Sequence, residues 1–191
     1  SESALEPELV KLDLSKKNIT EFPENNQLIK SLNVSSNKIK ELNEQMISAL
    51  LSLQRLKSLD LSNNFLVTFP DELKNLDHLE ELKLFRNRLQ NNEGINSILS
   101  LENLKNLDFS QNKLTSFPKK LPPRLEILTL DFNLIPRLED VLMPNLRRLS
   151  LVLTQLDHIS PDLVFPKLKF LDLSRNNLAS LPDLTKFSPN L

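Results

Sequence analysis

Residues 69–89 read FPDELKNLDHLEELKLFRNRL, and the spacing of their apolar side chains decides the fold. Leu79, Leu82, Leu84, Asn87 and Leu89 fill positions one, four, six, nine and eleven of the pattern L-x-x-L-x-L-x-x-N-x-L. In Leu82-Lys83-Leu84 the alternation sends both leucines to one face and Lys83 to the other, which describes a short strand. Asn87 falls where the chain leaves that strand. Its amide both donates and accepts, so it can satisfy turn backbone groups that a sheet leaves unpaired.

Working outward, the same pattern recurs eight times. The earlier copies are Leu9, Leu12, Leu14, Lys17, Ile19; then Ile29, Leu32, Val34, Asn37, Ile39; then Leu56, Leu59, Leu61, Asn64, Leu66. The later ones are Leu104, Leu107, Phe109, Asn112, Leu114; Leu125, Leu128, Leu130, Asn133, Ile135; Leu146, Leu149, Leu151, Thr154, Leu156; and Leu168, Leu171, Leu173, Asn176, Leu178. Successive copies begin 20, 27, 23, 25, 21, 21 and 22 residues apart, and Leu191 stands where a ninth would start. A fixed period of this length marks a stack of like units, each burying its apolar face on its neighbours. The expectation is one domain over residues 1–191, of about eight repeats, continuing or capped beyond Leu191. The six ladder asparagines should be buried and bonded to backbone. Lys17 fits a capping-like first repeat.

On these residues the chain resembles the leucine-rich-repeat family over essentially its whole length. Residues 69–89 in particular are similar to a cytoplasmic subgroup associated with Ras-type signalling. The resemblance implies an α/β solenoid, a curved horseshoe with a parallel sheet on its concave side and irregular, 3-10 and helical segments on its convex side. It also implies a protein-interaction module, with a small GTPase or its effector as the partner class. Two other readings stand beside it: a targeting domain of a larger kinase, phosphatase or cyclase, and a receptor ectodomain, whose usual Cys-rich caps are missing here.

The connecting segments differ in kind. Residues 43–54 (NEQMISALLSLQ) and 94–103 (GINSILSLEN) have helical spacing and predict the longest convex elements. Phe22-Pro23, Phe69-Pro70, Phe117-Pro118 and Leu181-Pro182 each place an apolar residue, expected to be buried, beside a proline that stops strand continuation. Residues 119–124 (KKLPPR) are too short and proline-rich for a helix.

Composition narrows the function. The net charge is −1, and no long basic run offers the phosphate neutralisation that drives nucleic-acid binding. With no cysteine the chain forms neither disulfide nor thiolate metal site, which fits a reducing, cytoplasmic compartment. No stretch approaches the roughly 20 apolar residues that span a bilayer. Gly94 is the single glycine, so neither a phosphate-binding loop nor a dinucleotide fingerprint can be written onto this chain. His78 and His158 are about 80 residues apart and cannot by themselves make a zinc set. Neither a cofactor, a metal nor a catalytic residue is expected. Asp13, Asp60, Asp108 and Asp172 recur at position five beside Asn33, and they read as a solvated strand face rather than a calcium site. Asn18-Ile19-Thr20 and Asn33-Val34-Ser35 match glycan acceptors but are no more frequent than chance.

The outward strand positions carry the functional signal. Early repeats present small and polar groups there, such as Ser31, Ser35, Ser58 and Ser62. From the fourth repeat onward large groups enter: Phe85, Arg86, Ile127, Phe132, Val152, Leu153, Phe170 and Arg175. With strands about 4.8 Å apart, repeats four to eight spread them over roughly 20 Å, a plausible footprint for a protein partner. Aromatic groups and arginines are the usual anchors of such footprints. The competing expectation is that Phe132 and Leu153, at position eight, tuck into the edge of the core.

Overall fold

The computed structural model describes residues 10–139 and 141–183. Leu9, which opens the first repeat, and Leu191 lie outside them. The described strands are β1 (Val10–Asp13), β2 (Ile29–Asn33), β3 (Ser58–Asp60), β4 (Glu81–Lys83), β5 (Asn106–Asp108), β6 (Ile127–Thr129), β7 (Arg137–Leu138), β8 (Arg148–Ser150), β9 (His158–Ile159) and β10 (Phe170–Asp172). Among the described residues, β1, β2, β3, β4, β5, β6, β8 and β10 form one sheet in that order. Every pairing in it is parallel. The register follows the sequence pattern: Leu32, Leu59, Leu82, Leu107, Leu128, Leu149 and Leu171, all at position four, pair across the sheet in succession.

Positions one, four, six and eleven build the core. In the fourth repeat Leu79, Leu82, Leu84 and Leu89 are all fully buried, and each such leucine contributes about 1.5–3 kcal/mol relative to exposure. Phe109 takes position six in the fifth repeat and is equally buried. At the two sides of the stack, Leu12, Leu14, Leu171 and Leu173 are only partly covered. Strands pack about 4.8 Å apart, whereas a helical segment needs about 10 Å. The sheet therefore lines the inner, concave side.

The convex side departs from expectation in places. Helix α1 (Glu44–Ser52) forms where predicted, capped by Asn43, whose side chain accepts from the Met46 N–H at 2.9 Å. The segment around Gly94 instead gives a 3-10 turn, Glu93–Ile95, and one short helix, α2 (Asn96–Leu99). Asn96, Ser97, Ser100 and Asn103 are weak helix formers that compete for backbone bonds, and Ser97 Oγ indeed donates to the Phe69 carbonyl at 3.0 Å. A further 3-10 helix, Asp71–Asn75, follows Pro70 and was not signalled by the pattern. Residues 119–124 are non-helical. A small second sheet pairs β7 with β9.

Phe22, Phe69 and Phe117 are buried beside their prolines. The next repeat's convex segment holds two of them: Phe22 exchanges bonds with the Gln45 side chain, and the Phe69 N–H donates to the Gly94 carbonyl. Leu181, expected to match them, is 57% exposed; the residues that follow position 183 lie outside the described ones. Gly94 is required by close approach, since a Cβ there would lie 2.8 Å from both Asn92 Oδ1 and Thr68 Cγ2.

Candidate protein-binding surface

The turn that leaves each concave strand is built by two side chains. At position nine, Asn64 Oδ1 accepts from the Asn37 and Ile39 N–H groups of the preceding repeat, both at 3.0 Å. Its Nδ2 donates to the Val34, Leu61 and Ser62 carbonyls. Asn37, Asn87, Asn112, Asn133 and Asn176 repeat this arrangement, giving a ladder across the stack. Asn37, Asn64, Asn87 and Asn133 are buried, as expected, while Asn112 and Asn176 are half-buried. Thr154 completes the seventh rung differently. It is fully buried, its hydroxyl donates to the Leu151 carbonyl, and its own carbonyl accepts the Ile135 N–H at 2.9 Å. Lys17 is exposed, and its N–H donates to Asn37.

The position-five column has a structural task. Asp13, Asn33, Asp60, Asp108 and Asp172 each accept the N–H two residues on, from Ser15, Ser35, Ser62, Ser110 and Ser174. These are Asx turns that fix the strand exit. Among the described residues no group of three or more His, Asp and Glu converges as a metal site. The amide oxygen of the acceptor-like Asn33 is tied to Ser35 in the same way.

Position eight has a single conformation throughout. Lys16, Ser36, Asn63, Arg86, Gln111, Phe132, Leu153 and Arg175 all adopt φ between 50° and 57° or close to it, up to 59° for Phe132. This left-handed region disfavours bulky L-residues and suits Asn. Phe132 and Leu153 are thus placed where the backbone alone would not select them. Neither is buried: Phe132 is 47% and Leu153 39% exposed, against the alternative that they tuck into the core.

The eight residues singled out from sequence fall into three sets. Ile127 and Phe170 flank Arg148 in register on β6, β8 and β10, and the Arg148 guanidinium stacks 4.6 Å from the centre of the Phe170 ring. Phe85 and Val152 occupy position seven and are half-buried. Ser110 and Asp131 stand between them in that column, so Phe85 is about three strand spacings, roughly 14 Å, from Val152. Arg86, Phe132, Leu153 and Arg175 sit at the turn edge. There Phe132 and Leu153 share a shallow depression with Leu134.

Sequence reasoning missed Leu134, and it left Arg148, an outward position of the seventh repeat, out of the patch. It also missed Phe65, whose ring carries Arg88 at 4.8 Å. Position ten held the signal, since Phe65 and Leu134 occupy a column otherwise filled by Asn18, Lys38, Arg88, Lys113, Gln155 and Asn177. His78 is exposed, and His158 contacts Glu139 at 2.9 Å, where Arg137 also binds at 2.9 Å. Chiefly the Arg137 hydrogen bond holds the Glu139 carboxyl below its ordinary range. The trio stitches β7 to β9. Among the described residues no helix is long and apolar enough to cross a membrane.

Fold and surface together define a parallel-sheet solenoid with a laddered turn and an exposed patch of apolar and cationic groups. A leucine-rich-repeat family model matches residues 29–89, and a second matches residues 103–123 and 167–187. The chain belongs to the leucine-rich-repeat family, whose domains are generally protein-interaction modules. Among curated proteins none matches the chain. Among solved structures, the leucine-rich-repeat domain of APL1B is similar at 23% identity and a TM-score of 0.72, covering 89% of this chain and 51% of that one. The Toll–Spatzle complex of Drosophila is similar at 21% identity and 0.73, covering 91% and 24%. The mouse RP105/MD-1 complex follows at 23% identity and 0.67, covering 80% and 27%. These likenesses establish the fold. The chain spans about half or less of each of those chains.

Proposed function

We propose that this chain is a scaffold or regulator that grips a partner protein on the concave face and turn edge of repeats four to eight. Phe85, Arg86, Ile127, Phe132, Val152, Leu153, Phe170 and Arg175 make the contact. The observation that carries this is the pair Phe132 and Leu153, left about half exposed in a backbone conformation that favours Asn. Large apolar groups held out of the core at a cost of roughly 1–2 kcal/mol each are better explained by a partner than by folding. Two of the structural neighbours are themselves protein complexes by name. A cytoplasmic signalling role is the finer form of this reading; it draws on the resemblance of residues 69–89 and on the lack of cysteine.

Site-specific photo-crosslinking tests it. A crosslinking phenylalanine analogue at position 132 or 170 should capture a discrete protein that the same group at position 35 does not. Equal capture from position 35, or capture only from the convex Leu142 and Val164, would place the site elsewhere.

A further inference from the structure

The strand entrances of the last three repeats bring five cations together. Residues 123–127, 144–148 and 166–170 hold Arg124, Arg147, Arg148, Lys167 and Lys169 against the single carboxylate of Glu126, a local charge of +4 in a chain of net charge −1. Backbone bonds make these segments neighbours: the Arg147 N–H donates to the Glu126 carbonyl at 2.8 Å and the Lys169 N–H to the Arg147 carbonyl at 2.9 Å. Lys105, Arg124, Glu126, Asn145, Arg147 and Lys167 line one shallow groove along this edge.

The charges are weakly compensated. Arg124 is bonded to Asn103 and Lys167 to Asn145, both neutral amides. Arg147 reaches Glu126 at 3.5 Å with its side chain 51% exposed. The nearby concave acids lie at the opposite ends of the strands and are engaged: Asp131 accepts from Ser150 Oγ and the Val152 N–H, and Asp172 from the Ser174 N–H and hydroxyl. The cationic edge runs directly into the apolar floor, because Arg148 lies between Ile127 and Phe170 and stacks on the latter.

We infer that the partner presents an acidic segment, with Asp or Glu side chains meeting Arg124, Arg147, Lys167 and Lys169 and an adjacent apolar side chain meeting Ile127 and Phe170. This rests on the proposed binding face and adds the chemistry of its occupant. Charge complementarity selects the occupant: like charge next to this edge is repelled, while a carboxylate-bearing segment gains both affinity and orientation. A protein fits better than a nucleic acid, since Glu126 inside the groove would oppose a phosphate backbone and the flanking floor is apolar.

The test uses the whole chain and three probes: a twelve-residue peptide alternating Glu with Leu, the same peptide with every Glu replaced by Gln, and twelve-nucleotide oligothymidine. Isotope-edited NMR should show the acidic peptide shifting the amides of Arg147, Arg148, Lys169 and Phe170, with at least tenfold weaker binding of the Gln peptide. Arg147→Glu with Lys169→Glu should weaken the acidic peptide tenfold or more at an unchanged urea midpoint. Lys57→Glu, at the same repeat position on the early side, should leave binding unchanged. Equal binding of the Glu and Gln peptides on this face would overturn the acidic partner while leaving the binding face intact. Tighter binding of oligothymidine, or no shift at this edge with any peptide, overturns the inference. Photo-crosslinking through position 132 would then report separately on the face itself.

Discussion

Asn64 holds Asn37 in place through its backbone: the Asn64 amide oxygen accepts the Asn37 backbone N–H at 3.0 Å, and the Asn37 amide oxygen passes the same support to Lys17 and Ile19. Each rung therefore fixes the turn of the repeat before it, so local geometry is transmitted along the stack one repeat at a time.

Asn64→Ala should then be costly. It leaves the N–H groups of Asn37 and Ile39 without their acceptor and takes one of two donors from each of the Val34, Leu61 and Ser62 carbonyls. Each buried donor left unpaired costs about 1–3 kcal/mol, so urea unfolding should show a loss of at least about 2 kcal/mol. Asn112→Ala, whose side chain is only half-buried, should cost less. An Asn64→Ala midpoint equal to wild type would contradict the ladder.

Acid should weaken the Asx turn at Asp172. The Asp172 carboxyl is held below the ordinary aspartate range, first by the Ser174 hydroxyl and then by the Ser174 N–H. A carboxyl with a lower pKa folded than unfolded adds stability that is present above the unfolded value and lost as pH falls through the folded one. Asp172→Asn keeps an oxygen acceptor but cannot titrate. The stability difference between wild type and this variant should shrink as pH is lowered from about 5 to about 2; a constant difference would show that the charge is not engaged.

The architecture was legible because a core residue type is dictated by burial. Leu82 and Leu107 have no freedom to be polar, and their spacing gives strand, turn and period directly. The convex side was less legible. Residues 94–103 carry the apolar spacing of a helix, but Gly94 packs against Thr68 and Ser97 bonds to Phe69, tertiary facts that spacing cannot encode. The proposed binding surface was partly legible. Phe132 and Phe170 stood out as large groups in outward columns, yet the stacking of Arg148 on Phe170 joins side chains from two repeats. The left-handed turn at Phe132 is invisible as well, because positions 36, 63 and 111 show Ser, Asn and Gln in the same conformation. Leu134 was missed because position ten was assigned to no surface.

If Phe132 and Leu153 are kept for contact rather than for folding, as the proposed function requires, unfolding of the double variant Phe132→Asn with Leu153→Asn shows it without any partner in hand. Both sites have positive φ, 59° and 53°, where Asn is tolerated and bulky residues are strained by roughly 1–2 kcal/mol. The urea midpoint should be unchanged or higher than wild type. A loss of about 3 kcal/mol or more, the cost of truncating a core aromatic, would show that these side chains hold the fold together and would contradict the account.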